Sequence, residues 1–91
     1  MSEFIERLKE TLKHEKMSRE DLAKKTGMTF TRINNAMNKR GHFRAEEINQ
    51  IAECFPDFEF WLHSGRERPE KGDVSPMTKT AQSDYREQEG G

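Results

Sequence analysis

The sequence has little of what membrane, secreted and disulfide-linked proteins require. Cys54 is the single cysteine among 91 residues, which excludes an intrachain disulfide. No apolar run approaches the roughly 20 residues that a membrane-spanning helix needs. The N-terminus also lacks the basic-then-apolar order of a secretion signal. These absences predict a soluble, cytoplasmic protein in a reducing compartment, with no membrane partner.

Residues that could support catalysis are also scarce. His14, His42 and His63 lie in three separate segments without metal-ligand spacing, so we interpret each as a structural or surface side chain. No glycine-rich phosphate loop and no nucleophile motif is present. We therefore expect no enzyme, no metal or other cofactor, and no small-molecule ligand.

Charge of both signs is abundant, but it is unevenly distributed along the chain. The formal net charge is only −1. Between Lys16 and Arg44, eight basic residues accompany two acidic ones, whereas residues 45–63 contain five acidic residues and neither Lys nor Arg. A chain polarised in this way can be neutral overall and still present a basic surface to a polyanion such as nucleic acid.

Apolar residues are concentrated between Phe4 and Leu62, and their spacing predicts an all-α domain. From residue 65 the composition changes to Gly, Pro and charged residues, which cannot bury enough surface to offset the entropy of ordering. We expect a domain at 1–64 and a flexible polar tail at 65–91, with one weak strand-like stretch at 73–75. The first predicted helix follows a Ser2 cap and ends near residue 14. The other four predicted helices span 19–26, 30–39, 44 or 45 to 55, and 58–64, and Asp57 is the predicted cap of the last.

The second and third predicted helices are joined by a tight turn. Ser18 and Asp21 have the spacing of a capping box at the start of the second helix. Gly27 supplies the left-handed backbone that ends this helix, and Thr29 can cap the next one. Two short helices joined by a glycine-containing turn are the sequence form of a helix-turn-helix.

The third helix carries three asparagines, although asparagine has low helix propensity. On a helical wheel, Ile33, Ala36 and Met37 form one apolar stripe. The opposite side carries Thr31, Asn35 and Asn38, flanked by Arg32 and Asn34. This arrangement predicts an exposed face whose amides and hydroxyl are available for hydrogen bonds.

Residues 17–40, MSREDLAKKTGMTFTRINNAMNKR, resemble the helix-turn-helix of lambda-repressor and Cro-like DNA-binding domains, also called the xenobiotic-response-element type. The matching positions are Leu22, Ala23, Gly27, Met28, Thr29 and Ile33. The resemblance extends over residues 3–64 and implies a five-helix domain of a bacterial or phage regulator, associated with the nucleoid when bound. The ending FWLHSGRERPEKGDVSP is similar to phage-type members of the group.

The resemblance implies that helix 30–39 lies in the major groove of DNA. The base-reading residues implied are Phe30, Thr31, Arg32, Asn34, Asn35 and Asn38. The phosphate contacts implied are Lys16, Ser18, Arg19, Lys24, Lys25, Thr29, Lys39, Arg40 and Arg44. Two positions depart from the family pattern. Arg19 replaces a frequent Gln that braces the recognition helix, which favours a phosphate contact over an amide bridge, and Phe30 stands at a commonly polar position.

The expected function is sequence-specific regulation of transcription, with repression as the expected outcome. We expect a homodimer on a palindromic operator, because one such domain reads only a few base pairs. Phe58, Phe60 and Trp61 exceed the needs of so small a core and are predicted at the dimer interface, unless all three pack inside. The alternative function is a protein-interaction module, such as an antitoxin, which the acidic C-terminal half and the polar tail suggest.

Overall fold

The chain folds into short helices, seen in a computed structural model that describes residues 4–38 and 42–82. The five α-helices are α1 (Phe4–His14), α2 (Arg19–Thr26), α3 (Phe30–Met37), α4 (Ala45–Glu53) and α5 (Glu59–Ser64). Two 3-10 turns, Pro56–Phe58 and Pro69–Lys71, and further helical residues at 76–82 follow α4 and α5. The predicted all-α fold class is confirmed: in the described ranges the only extended pairing is an isolated bridge between Arg68 and Asp73.

Every α-helix contributes a fully buried apolar side chain to a common core. Leu8, Leu22, Ile33, Ile51 and Leu62 come from α1 to α5 in turn, and each is 0% exposed. Burying a side chain of this size stabilises a fold by about 1.5–3 kcal/mol. None of the five helices exceeds 11 residues, and isolated helices this short are marginal in water. The helices therefore depend on the core rather than on their own propensity.

The helix-turn-helix forms through the local signals that the sequence predicted. The Ser18 hydroxyl accepts a hydrogen bond from the Asp21 N–H (3.0 Å), and the Asp21 carboxylate accepts one from the Ser18 N–H (3.1 Å). The bond from the Ser18 N–H to the carboxylate is the main reason that the pKa of Asp21 lies below its ordinary value. Gly27 ends α2 with φ +78°, and the Thr29 hydroxyl caps α3 by accepting from the Arg32 N–H (3.1 Å). Both predicted caps and the predicted glycine stop are confirmed.

Three predicted helix boundaries were wrong. α3 ends at Met37 rather than residue 39, and α4 ends at Glu53 rather than Phe55, whose backbone leaves the helix (φ −130°) as its ring enters the core at 3% exposure. Asp57 does not cap α5, because the 3-10 turn that begins at Pro56 intervenes and α5 starts without a side-chain cap. The Asp57 side chain instead pairs with Lys79. The predicted Ser2 cap lies outside the described residues.

The aromatic residues of the Pro56–Phe58 turn and of α5 lie in different environments. Phe58 and Trp61 are 1% and 9% exposed and belong to the core, so the structure contradicts their prediction as dimer-interface residues. The physical reason is that α5 closes the core and its rings fill the space beneath it. Phe60 is half-buried, with the Arg68 guanidinium 3.7 Å from the centre of its ring. The alternative that these rings pack inside therefore holds for Phe58 and Trp61.

The start of the segment predicted as a flexible tail folds back on the domain. Val74 is 4% exposed and joins the core, and its N–H donates to the Asp57 carbonyl (3.3 Å). The Glu67 carboxylate accepts from the Ser75 N–H and the Thr78 hydroxyl, at 2.7 Å each. The pKa of Glu67 is lowered first by the Ser75 side chain and then by the Thr78 hydroxyl. One apolar anchor and a set of polar contacts thus order a stretch whose composition suggested disorder. Residues 83–91 lie outside the described range.

We expect Val74→Ala to lower the free energy of unfolding by about 1–3 kcal/mol, because it deletes two buried methyl groups and leaves a cavity. Met77→Ala is the matched control, since Met77 lies three residues later and is 75% exposed; its effect should be near zero. Urea unfolding of the two variants measures both values. An unchanged free energy of unfolding for Val74→Ala would show that Val74 is not part of the cooperative core.

Candidate nucleic-acid interface

α3 separates its buried and exposed sides as the helical wheel predicted. Ile33, Ala36 and Met37 are at most 2% exposed, whereas Thr31 and Asn35 are exposed. Thr31 and Asn35 are four residues apart and therefore neighbours on the helix surface. Phe30, at the first position of the helix, is 45% exposed. The outward side of α3 thus carries a hydroxyl and an amide, and an exposed aromatic ring begins the helix at the edge of its apolar stripe.

Arg19 links the start of α2 to one flank of α3. Its guanidinium donates to the side-chain oxygens of Asn34 (2.5 Å) and Asn38 (3.2 Å). Arginine has no acceptor, so the oxygen of each amide must face it and the two NH₂ groups remain as donors. The sequence favoured a phosphate contact for Arg19 over the bracing role of the Gln that is frequent at this position. The structure shows that Arg19 does brace α3, through the two asparagine oxygens. The five donors of the guanidinium fork allow one arginine to bond both carbonyl oxygens across the turn.

Arg32 links the other flank of α3 to the start of α4. Its Nε and Nη2 atoms donate to the two carboxylate oxygens of Glu47 at 2.9 and 2.6 Å, and Nη2 also donates to the His42 carbonyl at 2.8 Å. Bidentate pairs of this kind are among the stronger polar contacts in proteins. The Arg32 guanidinium is therefore held between helices, although the sequence analysis assigned it to base reading.

Glu47 joins this ion pair to the cap of α4. Its Oε1 atom accepts a hydrogen bond from the Arg44 N–H at 2.8 Å, in addition to those from Arg32. The Arg32 hydrogen bond is the main reason that the pKa of Glu47 lies below its ordinary value. Sequence reasoning assigned Glu47 only to the outward side of α4. Its place three residues after Arg44 is the capping-box position, which could have indicated that it faces back along the chain.

The predicted phosphate-contacting lysines gather beside α2. Lys16, Lys24 and Lys25 are exposed and line one open groove with Asp21. None of the three lysines forms an ion pair with another described residue. Arg44, just before α4, is also exposed.

The other predicted phosphate contacts divide into two groups. Ser18 and Thr29 are exposed N-cap residues whose hydroxyl oxygens already accept backbone hydrogen bonds. Lys39 and Arg40 lie outside the described residues.

The described ranges, 4–38 and 42–82, include no group of three or more His, Cys, Asp or Glu side chains placed to hold a metal ion. They also include no helix with the length and apolar character needed to cross a membrane.

We expect Glu47→Gln to lower the free energy of unfolding by about 1 kcal/mol at pH 7, because it removes the charge that Arg32 binds. The folded pKa of Glu47 is below its ordinary value of 4.5. Its contribution is therefore fully present above that pH and is lost as the pH falls through the folded pKa. The difference between wild type and variant should accordingly shrink in acid, as measured by denaturant unfolding at pH 7 and well below pH 4.5.

Glu46→Gln is the matched control for this measurement. Glu46 is the preceding residue of α4, is exposed, and forms no ion pair in the described part of the chain. Its substitution makes the same change of charge and should leave stability nearly unchanged at both pH values. A loss for Glu47→Gln that is equally large in acid would contradict a role for the carboxylate charge.

Comparison with known proteins identifies the family. A family model described as helix-turn-helix matches residues 8–56, which is more than half of the chain and includes α2, the turn and α3. No curated protein and no solved structure was found to match. The matched region, the observed caps and the helix order agree with the resemblance noted in the sequence. The chain belongs to the lambda-repressor and Cro-like helix-turn-helix family of DNA-binding regulators.

Proposed function

We propose that the protein is a sequence-specific transcriptional regulator that reads the major groove of double-stranded DNA with α3 and acts as a repressor. The observation that carries this proposal is the arrangement of α3: its apolar stripe is buried, both flanks are bonded to neighbouring helices, and Thr31 and Asn35 remain exposed. A helix fixed in this way presents polar groups to base edges without having to be ordered on binding. Repression follows because an occupied operator is closed to other proteins.

Two kinds of side chain have separate roles in this proposal. Phe30, Thr31 and Asn35 contact base edges, whereas Arg32, Asn34 and Asn38 lie at the flanks and orient the helix. The phosphate contacts come from the basic residues and caps around it: Lys16, Ser18, Arg19, Lys24, Lys25, Thr29, Lys39, Arg40 and Arg44. Phosphate contacts set affinity and register, while base contacts set the preferred sequence.

Binding to DNA should be sensitive to salt and to Asn35. A site is first selected from random duplex DNA, and affinity for it should then fall steeply between about 50 and 200 mM salt as counterions are released. Asn35→Ala should weaken binding to the selected site by about 1–3 kcal/mol and leave nonspecific binding intact. Fluorescence anisotropy titrations measure both effects.

Asn49→Ala is the control, because Asn49 is an exposed asparagine on α4 rather than α3. It should bind the selected site like the wild type. If no duplex shows salt-sensitive binding, the DNA-reading proposal fails and the protein-interaction module takes its place.

We further propose that the protein binds as a homodimer to a palindromic operator in a bacterial or phage-infected cell. Two copies of α3 placed one helical turn apart would double the number of bases read. Because Phe58 and Trp61 are buried, the dimer surface must consist of other residues. Sedimentation velocity with a selected duplex should give a complex of two chains per duplex. A complex with one chain at saturating protein would contradict the dimer.

A further inference from the structure

We propose that α3 selects A·T base pairs, with Asn35 bonding an adenine edge and Phe30 contacting the methyl group of a thymine. This inference rests on the proposed function, because it names the bases that a major-groove contact by α3 would prefer. Three observations carry it: the hydrogen bonds of the single cation of α3, the difference between the three asparagines in and directly after α3, and the exposure of the first residue of the helix.

The first observation is that Arg32, the single cationic side chain of α3, has no adjacent pair of unbonded N–H donors. Guanine is read by an arginine or lysine that donates to both O6 and N7. Arg32 can offer two donor pairs, Nε with Nη2 or Nη1 with Nη2, and both pairs include Nη2. Both Nη2 hydrogens are already bonded, one to Glu47 and one to the His42 carbonyl. Only Nη1 remains, so Arg32 cannot make the paired guanine contact while these bonds hold.

The second observation separates Asn35 from the other two asparagines. The oxygens of Asn34 and Asn38 accept hydrogen bonds from Arg19, so each of these oxygens is turned toward Arg19 and is less available to a base edge. Asn35 is exposed, and its side chain makes no hydrogen bond to any described residue. It therefore keeps both a donor and an acceptor. Adenine offers N7 as acceptor and N6–H as donor, which is the complementary pair in the major groove.

The third observation is an apolar ring at the start of the reading helix. Phe30 is 45% exposed at the first position of α3, next to Thr31. A phenyl ring cannot hydrogen-bond to a base edge, and the thymine methyl group is the apolar feature of the major groove. Phe30, Thr31 and Asn35 are thus three exposed, uncharged side chains of α3, of the kinds that suit A·T pairs.

The test uses chemically altered bases in a duplex selected by the wild-type chain from a random library. We expect the selected half-site to contain A·T pairs in its core. Replacing the contacted adenine with 7-deazaadenine removes N7 and should weaken wild-type binding at least about fivefold. Replacing the contacted thymine with uracil removes the methyl group and should weaken it about fourfold.

Variants assign each effect to its residue. Asn35→Ala should lose the response to 7-deazaadenine but keep the response to uracil, and Phe30→Ala should show the reverse. Both residues are exposed, and unchanged unfolding curves would confirm that the variants fold. Asn35→Arg should in addition shift the selected base at that position toward guanine, because it supplies the missing bidentate donor.

The outcomes distinguish this inference from the proposed function. One outcome would overturn the inference and keep the proposed function: specific, salt-sensitive binding to a half-site with a G·C core. In that case 7-deazaguanine should weaken binding by the wild type but not by Arg32→Ala. Equal responses of wild type and variants to the altered bases would also overturn it. The absence of specific binding to any duplex would overturn the proposed function itself.

Discussion

The exposed face of α3 depends on the burial of Ile33, Ala36 and Met37 against the other helices. α3 has eight residues and contains two asparagines, with a third directly after it, so it cannot be stable alone. The three buried side chains, none more than 2% exposed, fix the rotation of the helix about its own axis. That rotation decides which residues face solvent. The apolar stripe thus sets the polar surface, although it makes no polar contact itself.

Two arginines complete this arrangement from opposite flanks, and each also changes what α3 can offer. Arg19 bonds the oxygens of Asn34 and Asn38 and so turns these oxygens toward itself. Arg32 is held by Glu47 and the His42 carbonyl, so its charge is paired with a carboxylate of α4. The composition of α3 suggests a cationic, amide-rich exposed surface. The contacts leave fewer unbonded polar groups on it, and its single cation is paired.

The features that could be predicted from the sequence depend on neighbours three or four residues away. The capping box at Ser18, the stop at Gly27 and the division of α3 into two sides are all of this kind. The features that were missed join residues distant in sequence. Arg19 and Asn34 are 15 positions apart, as are Arg32 and Glu47. Arg7 donates to the Leu62 carbonyl, 55 positions away, at 3.0 Å. No local pattern encodes such pairs, since they exist only after the helices pack.

The C-terminal segment was missed for a different reason. Its composition is polar, and composition measures how much apolar surface a segment could bury. Val74 supplies the apolar anchor in the core, while the Glu67 carboxylate bonds Ser75 and Thr78 and so satisfies polar groups next to it. A short stretch packed on an existing core needs much less apolar surface than a stretch that must form its own core. Average composition therefore underestimates order at the edge of a domain.

In the proposed DNA complex, the side chains that contact phosphates are charged and those that contact bases are neutral. The lysines of the groove at α2 carry charge, whereas the residues proposed to contact bases, Phe30, Thr31 and Asn35, are neutral. Screening by salt weakens the lysine contacts strongly, but it acts little on hydrogen bonds and apolar contacts between neutral groups. Affinity and sequence preference would then respond differently to ionic strength. Salt should therefore change the affinity for any duplex much more than it changes the preference between sites.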